Sequence, residues 1–454
     1  MRKKISISDV FTPTRFPTYS YVARRADYES VIDICISSGF IAFIHGPTKS
    51  GKTVLAEKVA RDIGFLSHKI SARNFGSADD FWENVASQLG IQDSITETKS
   101  VSHTEKKTMS WLGKITAWFT AEASVEGTIE KGEDRETNIA NTYIVDPFTA
   151  IKDQKRSHLL IIDNFHYIQN PIVQREILQE LRNLLDNVSV IIIAITDKSD
   201  YLNTIEHELI GRNRAITIEN WTNQELMDIA HKGFKSLNVE LSPLVLQELS
   251  GECMGTPAIM QAICLYLGII LGYKVVSSKS VVVNSDDVGY KLKKACKEAA
   301  RLFDMTQVYN SFLDTVNLNL SDTTRVRFRT QLSRNLTDDN SMYISEAILQ
   351  TLASQQGLIT TMSELKNSYK KFVIIRHHDM LPDFNLIIEK MHHTSELIWQ
   401  EQIKPAHSHS LSNNINIDID TSLLFYDKIK DQIRIQDPYF AFYIRWYGYI
   451  RGID

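Results

Sequence analysis

Gly46-Pro47-Thr48-Lys49-Ser50-Gly51-Lys52-Thr53 follows directly on the apolar run Phe40-Ile41-Ala42-Phe43-Ile44. It fits the GxxxxGK[ST] pattern of a phosphate-binding loop. Glycines let the backbone curl so that successive N–H groups point inward at phosphates, while Lys52 reaches the β- and γ-phosphates and the Thr53 hydroxyl serves Mg²⁺. The residues after Thr53 carry helical periodicity, which sets the phosphates at a helix N-terminus. Strand, loop and helix together predict a site for ATP or ADP with Mg²⁺, held by Gly46, Pro47, Thr48, Lys49, Ser50, Gly51, Lys52 and Thr53.

Outward from the loop, Phe65–Ile70 reads as a second strand and Ala78–Leu89 as an amphipathic helix, so the order is that of a parallel α/β sheet. Residues 92–137 break this rhythm with Ser, Thr, Lys and Glu around Trp111 and Trp118-Phe119, and are read as an insertion built as a hairpin with a few apolar anchors. The sheet resumes at His158-Leu-Leu-Ile-Ile-Asp163, an apolar strand ending in a carboxylate where open α/β sheets place their ligand chemistry. Asp163 is thus the second expected Mg²⁺ residue. A helix over Ile172–Leu185, the apolar strand Val188–Ile195 and a short strand Ala215–Ile218 complete the set.

Further candidates surround this pair. Asn164 stands where many ATPases of this architecture carry a Glu; it can position a water but cannot take its proton. His166 is the nearest alternative base, although local packing in the following loop is the simpler reading of it. Thr196 and Asp197 end the next strand and could sense the γ-phosphate. Arg212 and Arg214 could reach a neighbouring subunit's γ-phosphate, making hydrolysis depend on assembly; surface arginines in a solvated loop are the equal alternative.

The remaining chain is organised around helices. Thr222-Asn-Gln-Glu225 has capping-box spacing, Ser242-Pro243 marks a second start with Ser as cap, and a third helix begins near Gly255-Thr256-Pro257 and runs to about Tyr273. Val275–Val283 is β-rich. Beyond residue 303, Phe372–Ile375 and a hairpin of Leu423–Tyr426 with Gln432–Ile435 suggest a winged-helix-like module. The expected division is 1–220 for the ATPase core, with residues 1–38 flanking the base, 221–302 for a helical lid and linker, and 303–454 for the C-terminal module.

Composition narrows the function classes. A length of 454 residues implies several domains. Fifty-five acidic against fifty basic residues give a net charge of −5, with no global basic field to draw the protein onto nucleic acid. Arg325-Val-Arg-Phe-Arg329 is a local basic patch, read chiefly as a solvated face. Cys35, Cys253, Cys264 and Cys296 show no CxxC pairing, which fits buried thiols in a reducing cytosol. The N-terminus lacks a signal-peptide core, and the longest apolar stretch, Ala262–Leu271, is too short to span a bilayer. Histidines between 377 and 409 follow no firm ligand spacing and are read as surface or interdomain residues rather than a metal site.

With GPTKSGKT at 46–53, LLIID at 159–163, IIIAIT at 191–196 and the GxP-like Gly255-Thr256-Pro257, the chain resembles the STAND class of AAA+-related P-loop ATPases, near the origin-recognition clade. The resemblance covers about residues 15–275 and, more weakly, the C-terminal module. It implies an ADP-bound closed monomer and an ATP-bound form that opens and self-associates, with Pro257 contacting the base or ribose side of ADP. Asn164 departs from the pattern, there is no lid arginine at the GxxR position, and no sensor repeats are recognisable. The implied partners are therefore a separate effector or sensor protein, as in prokaryotic antiviral defence. A DNA-associated ATPase regulating transposition or replication, and an ATP-bound scaffold with negligible turnover, are the alternatives.

Overall fold

A computed structural model describes residues 5–37, 39–72, 75–89, 111, 113–116, 158–186, 188–196, 198–320, 327–329, 341–355, 359–372, 383–403 and 422–450. The chain divides into two compact units, one formed by 24–47 and 51–218, the other by 1–23, 48–50 and 219–454.

The first unit is a parallel sheet covered on both faces. Its elements are α1 (Arg25–Ile36), β1 (Ile41–His45), α2 (Lys52–Ile63), β2 (Leu66–Ser71), α3 (Ala78–Gln88), β3 (His158–Asp163), α4 (Pro171–Arg182), β4 (Val188–Ala194) and β5 (Asn213–Thr217). The sheet order is β2-β3-β4-β1-β5, all neighbours parallel. Because side chains alternate along a strand, Phe43, Leu160, Ile162 and Ile192 pack with Phe81, Trp82 and Ile177. Ala42, Ile44, Ile161 and Ile193 join Val31, Leu55 and Val59 on the opposite face. Burial on both sides explains why β1, β3 and β4 are continuous apolar runs. β1 lies between β4 and β5, so the loop that follows it opens at the C-terminal edge of the sheet, as does Asp163.

The described part of the insertion differs from the expected hairpin: Trp111 and residues 113–116 are helical. Ile115 is fully buried in the first unit's core and Lys114 Nζ lies 4.1 Å from the Trp111 ring centroid. Two apolar anchors thus act from one helical turn.

The second unit has a single core running from Ile7 to Trp446. Its helical part comprises α5 (Asn223–Ser236), β6 (Val239–Leu241), α6 (Pro243–Glu252), α7 (Pro257–Leu271), β7 (Val281–Val283), α8 (Ser285–Leu302) and α9 (Thr306–Leu318). The capping box is present: Thr222 Oγ1 accepts from Glu225 N, and the Glu225 carboxylate accepts from Thr222 N. Ser242 occupies the cap position of α6 but makes no cap hydrogen bond, its Oγ being buried without a partner; Pro243 lacks an N–H and leaves fewer donors to cap. The β-rich patch is also shorter than expected, since only Val281–Val283 forms a strand, parallel to β6, while Val275 makes an isolated bridge to Ser6.

Residues 5–23 are built into this unit. A helical turn, Ile7–Val10, sets Phe11 against Phe234 with ring centroids 5.0 Å apart. Gly268 lets Ile7 reach the α7 backbone, for a β-carbon there would stand 2.0 Å from Ile7 Cδ1.

Further on come β8 (Arg327–Arg329) paired with β9 (Ser341–Tyr343), then α10 (Ile344–Ser354), β10 (Ile359–Thr360), α11 (Met362–Phe372), α12 (Phe384–Ile403), β11 (Leu424–Asp427), β12 (Gln432–Ile435) and α13 (Pro438–Ile450). β11 and β12 form the expected antiparallel hairpin, and β10 adds to the β12 edge. Phe372 ends a helix rather than beginning a strand, and 373–375 lie outside the described residues. Arg445 joins the pieces: its guanidinium donates to the carbonyls of Ala353 (2.8 Å) and Gln355 (2.5 Å) and meets Glu252 at 3.3 Å.

Candidate functional site

The loop after β1 is shaped by two glycines. Gly46 has φ 136° and sits so near the chain leaving β5 that a β-carbon would stand 2.2 Å from the Ile218 carbonyl oxygen. The Ile218 N–H donates to His45 O at 2.7 Å and fixes this crossing. Gly51, at φ 91°, turns the chain into α2, whose first turn holds no acidic side chain. That helix end keeps its partial positive charge for an anion. Lys52 is the first residue of α2, buried, and its ammonium donates to the carbonyls of Gly46 (3.1 Å) and Pro47 (2.5 Å). A lysine folded over its own loop is placed to bond phosphate oxygens there.

Thr53, next along α2, donates from Oγ1 to Asp163 Oδ2 at 2.9 Å. Asp163 is buried at the end of β3, and its carbonyl accepts from Ala72 N at 2.7 Å, tying the ends of β2 and β3 together. A hydroxyl and a carboxylate are hard oxygen donors of the kind Mg²⁺ prefers, beside a cradle that suits phosphates. The residues present therefore fit a Mg²⁺–nucleotide. Thr53 and Asp163 would hold the metal, while Lys52 and the loop amides would hold the phosphates.

Asn164 lies in the left-handed region (φ 61°, ψ 36°) and leads into the short helical turn Phe165–Tyr167. Asparagine tolerates that conformation better than most residues, which gives a backbone reason for Asn here. His166 Nδ1 accepts from Ile195 N at 3.2 Å, so this nitrogen ties the turn to β4 and is engaged structurally. Thr196 Oγ1 accepts from Lys198 N at 3.1 Å and closes its own turn; Asp197 lies outside the described residues.

His45 went unnoticed in the sequence. Fully buried at the end of β1, it bonds Thr196 O through Nδ1 (3.0 Å) and Thr217 Oγ1 through Nε2 (2.9 Å), linking three strand ends just before the loop. Its one signal was a polar residue closing an apolar strand.

Other candidates lie elsewhere. β5 pairs with β1 so that Arg214 faces Ala42, three residues before His45 and hence about 10 Å back along the strand from the loop edge. Arg214 stacks on Phe40 (4.9 Å to the ring centroid), and Arg212 precedes β5 at the same far end. The sheet does not bring either to Lys52. Thr48, Lys49 and Ser50 group with the second unit, in which Trp221 Nε1 donates to Ser50 O at 2.7 Å. Pro257, in the same unit, is the first residue of α7, preceded by Gly255 at φ 67°. Of the histidine-rich stretch, 377, 378, 407 and 409 lie outside the described residues, while His392 bonds Leu424 O (3.2 Å). Among the described residues there is no group of three metal-ligating side chains, and no helix is long and apolar enough to cross a membrane.

Sheet order, glycine-framed loop and strand-end carboxylate define an α/β fold of the P-loop ATPase class. Residues 37–202, from before β1 to beyond β4, match the AAA domain family. No curated protein matches the chain. Among solved structures it is similar to the ORC2 protein of Aeropyrum pernix in ADPNP–ADP complexes, at 13% identity over 98% of this chain and 96% of that one, TM-score 0.45. It is also similar to Cdc6p of Pyrobaculum aerophilum (11%; 98% and 98%; 0.40) and to a Walker-type ATPase of Pyrococcus abyssi (10%; 95% and 98%; 0.48).

Proposed function

We propose that this chain binds ATP and ADP with Mg²⁺, hydrolyses ATP slowly, and acts as a STAND-type switch whose nucleotide state governs assembly with itself and with a partner protein. The observation that carries this reading is the meeting of Lys52, Thr53 and Asp163 around the Gly46–Gly51 loop. Bound Mg²⁺ would neutralise phosphate charge. Lys52 and the α2 amides would orient the phosphates, and the Asn164 carboxamide would orient water without accepting its proton. That missing base supports slow turnover and therefore a switch rather than a motor. In this reading the ATPase core lies within 1–220, 221–302 is the lid and 303–454 a winged-helix-like module.

The test is native mass spectrometry of wild type and Lys52→Ala with Mg·ATP and with Mg·ADP. Wild type should retain nucleotide and change assembly state between the two, and Lys52→Ala should bind neither. Equal nucleotide retention by both proteins would sink the reading.

A second reading, a DNA-associated ATPase, is supported by the order of the described elements between residues 344 and 435, helix, strand, helix, helix and hairpin, which resembles that of a winged helix. The hairpin tip carries Lys428 and Lys430, but these pair with Glu389 (2.8 Å) and Asp427 (3.9 Å), so the free positive charge there is small. Duplex binding that weakens steeply with salt would move the assignment to this reading.

A further inference from the structure

Lys69 lies on β2, the edge strand next to β3, and its register partner is Ile161, two residues before Asp163. Its ammonium stands 3.7 Å from Asp163 Oδ2, the same oxygen that accepts from Thr53, and 3.1 Å from Glu57 Oε1. Glu57 follows Thr53 by four residues on α2, so both project from one face of that helix. Among the described residues Lys69 is the one cation within 4 Å of Asp163.

Support of the fold explains this arrangement poorly. The Lys69 and Glu57 side chains are 42% and 32% exposed, and a pair so exposed adds little to stability. The Asp163 side chain, by contrast, is only 9% exposed, where a nearby charge is screened less. The consequence falls on the carboxylate.

We propose, building on the nucleotide reading above, that Lys69 is a positioning residue that weakens Mg²⁺ binding: its charge shares Asp163 with the metal, and Glu57 draws that charge partly away. Lys69 and a divalent cation cannot both approach Asp163 Oδ2 without mutual repulsion. Glu57 and Asp163 thus compete for one ammonium. The metal's hold on the site is set by where Lys69 rests, and nucleotide can stay while metal exchanges.

The experiment titrates Mn²⁺ into the full chain carrying one equivalent of ADP, with free Mn²⁺ followed by electron paramagnetic resonance. ADP affinity in EDTA is measured alongside by calorimetry. Lys69→Met should tighten Mn²⁺ about tenfold and leave ADP affinity in EDTA unchanged. Lys69→Arg, which keeps the charge, should restore wild-type values. Glu57→Gln should shift Mn²⁺ affinity in the opposite direction, because Lys69 then turns wholly to Asp163. A merely structural lysine would give no such opposed pair. Should Lys69→Met not fold, Lys69→Gln and the Glu57→Gln shift carry the test. Normal ADP binding with Mn²⁺ affinity unmoved by these variants overturns this proposal alone. Failure of wild type to bind ADP at all overturns the nucleotide reading, and this proposal with it.

Discussion

Gly46 and Ile218 pass so closely that a single added β-carbon on the first would lie 2.2 Å from the carbonyl oxygen of the second. The backbone bond from Ile218 N to His45 O leaves that carbonyl no room to retreat. Gly46→Ala should therefore cost about 2–4 kcal/mol, from overpacking and an unfavourable φ together, and abolish nucleotide binding. Thermal melting and calorimetry check both effects; an Ala variant that melts with wild type would show that the crossing is looser than described.

Asn164 holds a left-handed backbone at the edge of the site. Asn164→Glu should raise ATP turnover about tenfold or more by supplying a general base, at a cost of about 1 kcal/mol for placing Glu in that conformation. Asn164→Gly should keep stability without the gain in turnover. A steady-state ATPase assay decides it, and unchanged turnover in the Glu variant would move the base to another residue.

His68 and His158 face each other across β2 and β3, ring nitrogens 3.0 Å apart. Burial, with the His158 charge as a second cause, pushes His68 down to about 4 from its ordinary 6.5, and burial also lowers His158. Below pH 6.5 the unfolded chain takes up protons that the folded pair refuses. Stability is therefore complete above about pH 6.5 and declines as pH falls toward about 4. His68→Gln should flatten this slope in melting curves taken across that window. A slope equal to wild type would place the acid sensitivity in other groups.

Arg445, with a side chain 13% exposed, serves carbonyls on α10 and its end as well as Glu252 at the end of α6. Arg445→Ala leaves these acceptors unpaired and should cost about 2–4 kcal/mol. Lysine cannot span the same acceptors with a planar fork, so Arg445→Lys should recover only part of the loss. Urea denaturation of the three proteins provides the comparison.

Much of the first unit was legible because its central strands are buried on both faces, and burial writes itself into sequence as unbroken runs such as Val190–Ala194. The loop was legible because its chemistry constrains Gly46, Gly51, Lys52 and Thr53 at fixed spacing. What escaped is what depends on neighbours distant in sequence. His45 finds its partners 151 and 172 residues away. Lys69, on an edge strand with little apolar signal, acquires meaning only when β3 lies beside it. Arg212 and Arg214 were read as reaching a neighbouring subunit, and the pairing of Ile41 with Asn213, which sets them at the far end of β5 from this chain's own loop, could not be read from chain order. Ser242 shows the same limit on a smaller scale, since cap spacing predicts position but not whether the hydroxyl bonds.

The segment holding Ile7 and Phe11 has a consequence for synthesis. Its seats, Phe234 and Gly268, are encoded more than two hundred residues later. At ribosomal rates of roughly 5–20 residues per second, these apolar side chains wait about 10 s or longer for their seats to emerge. The whole first unit, residues 24–47 and 51–218, is translated in that interval. The strap can be buckled only after the nucleotide domain has had its chance to fold. A nascent chain stalled before residue 234 would carry an exposed hydrophobic leader, a natural handle for a chaperone.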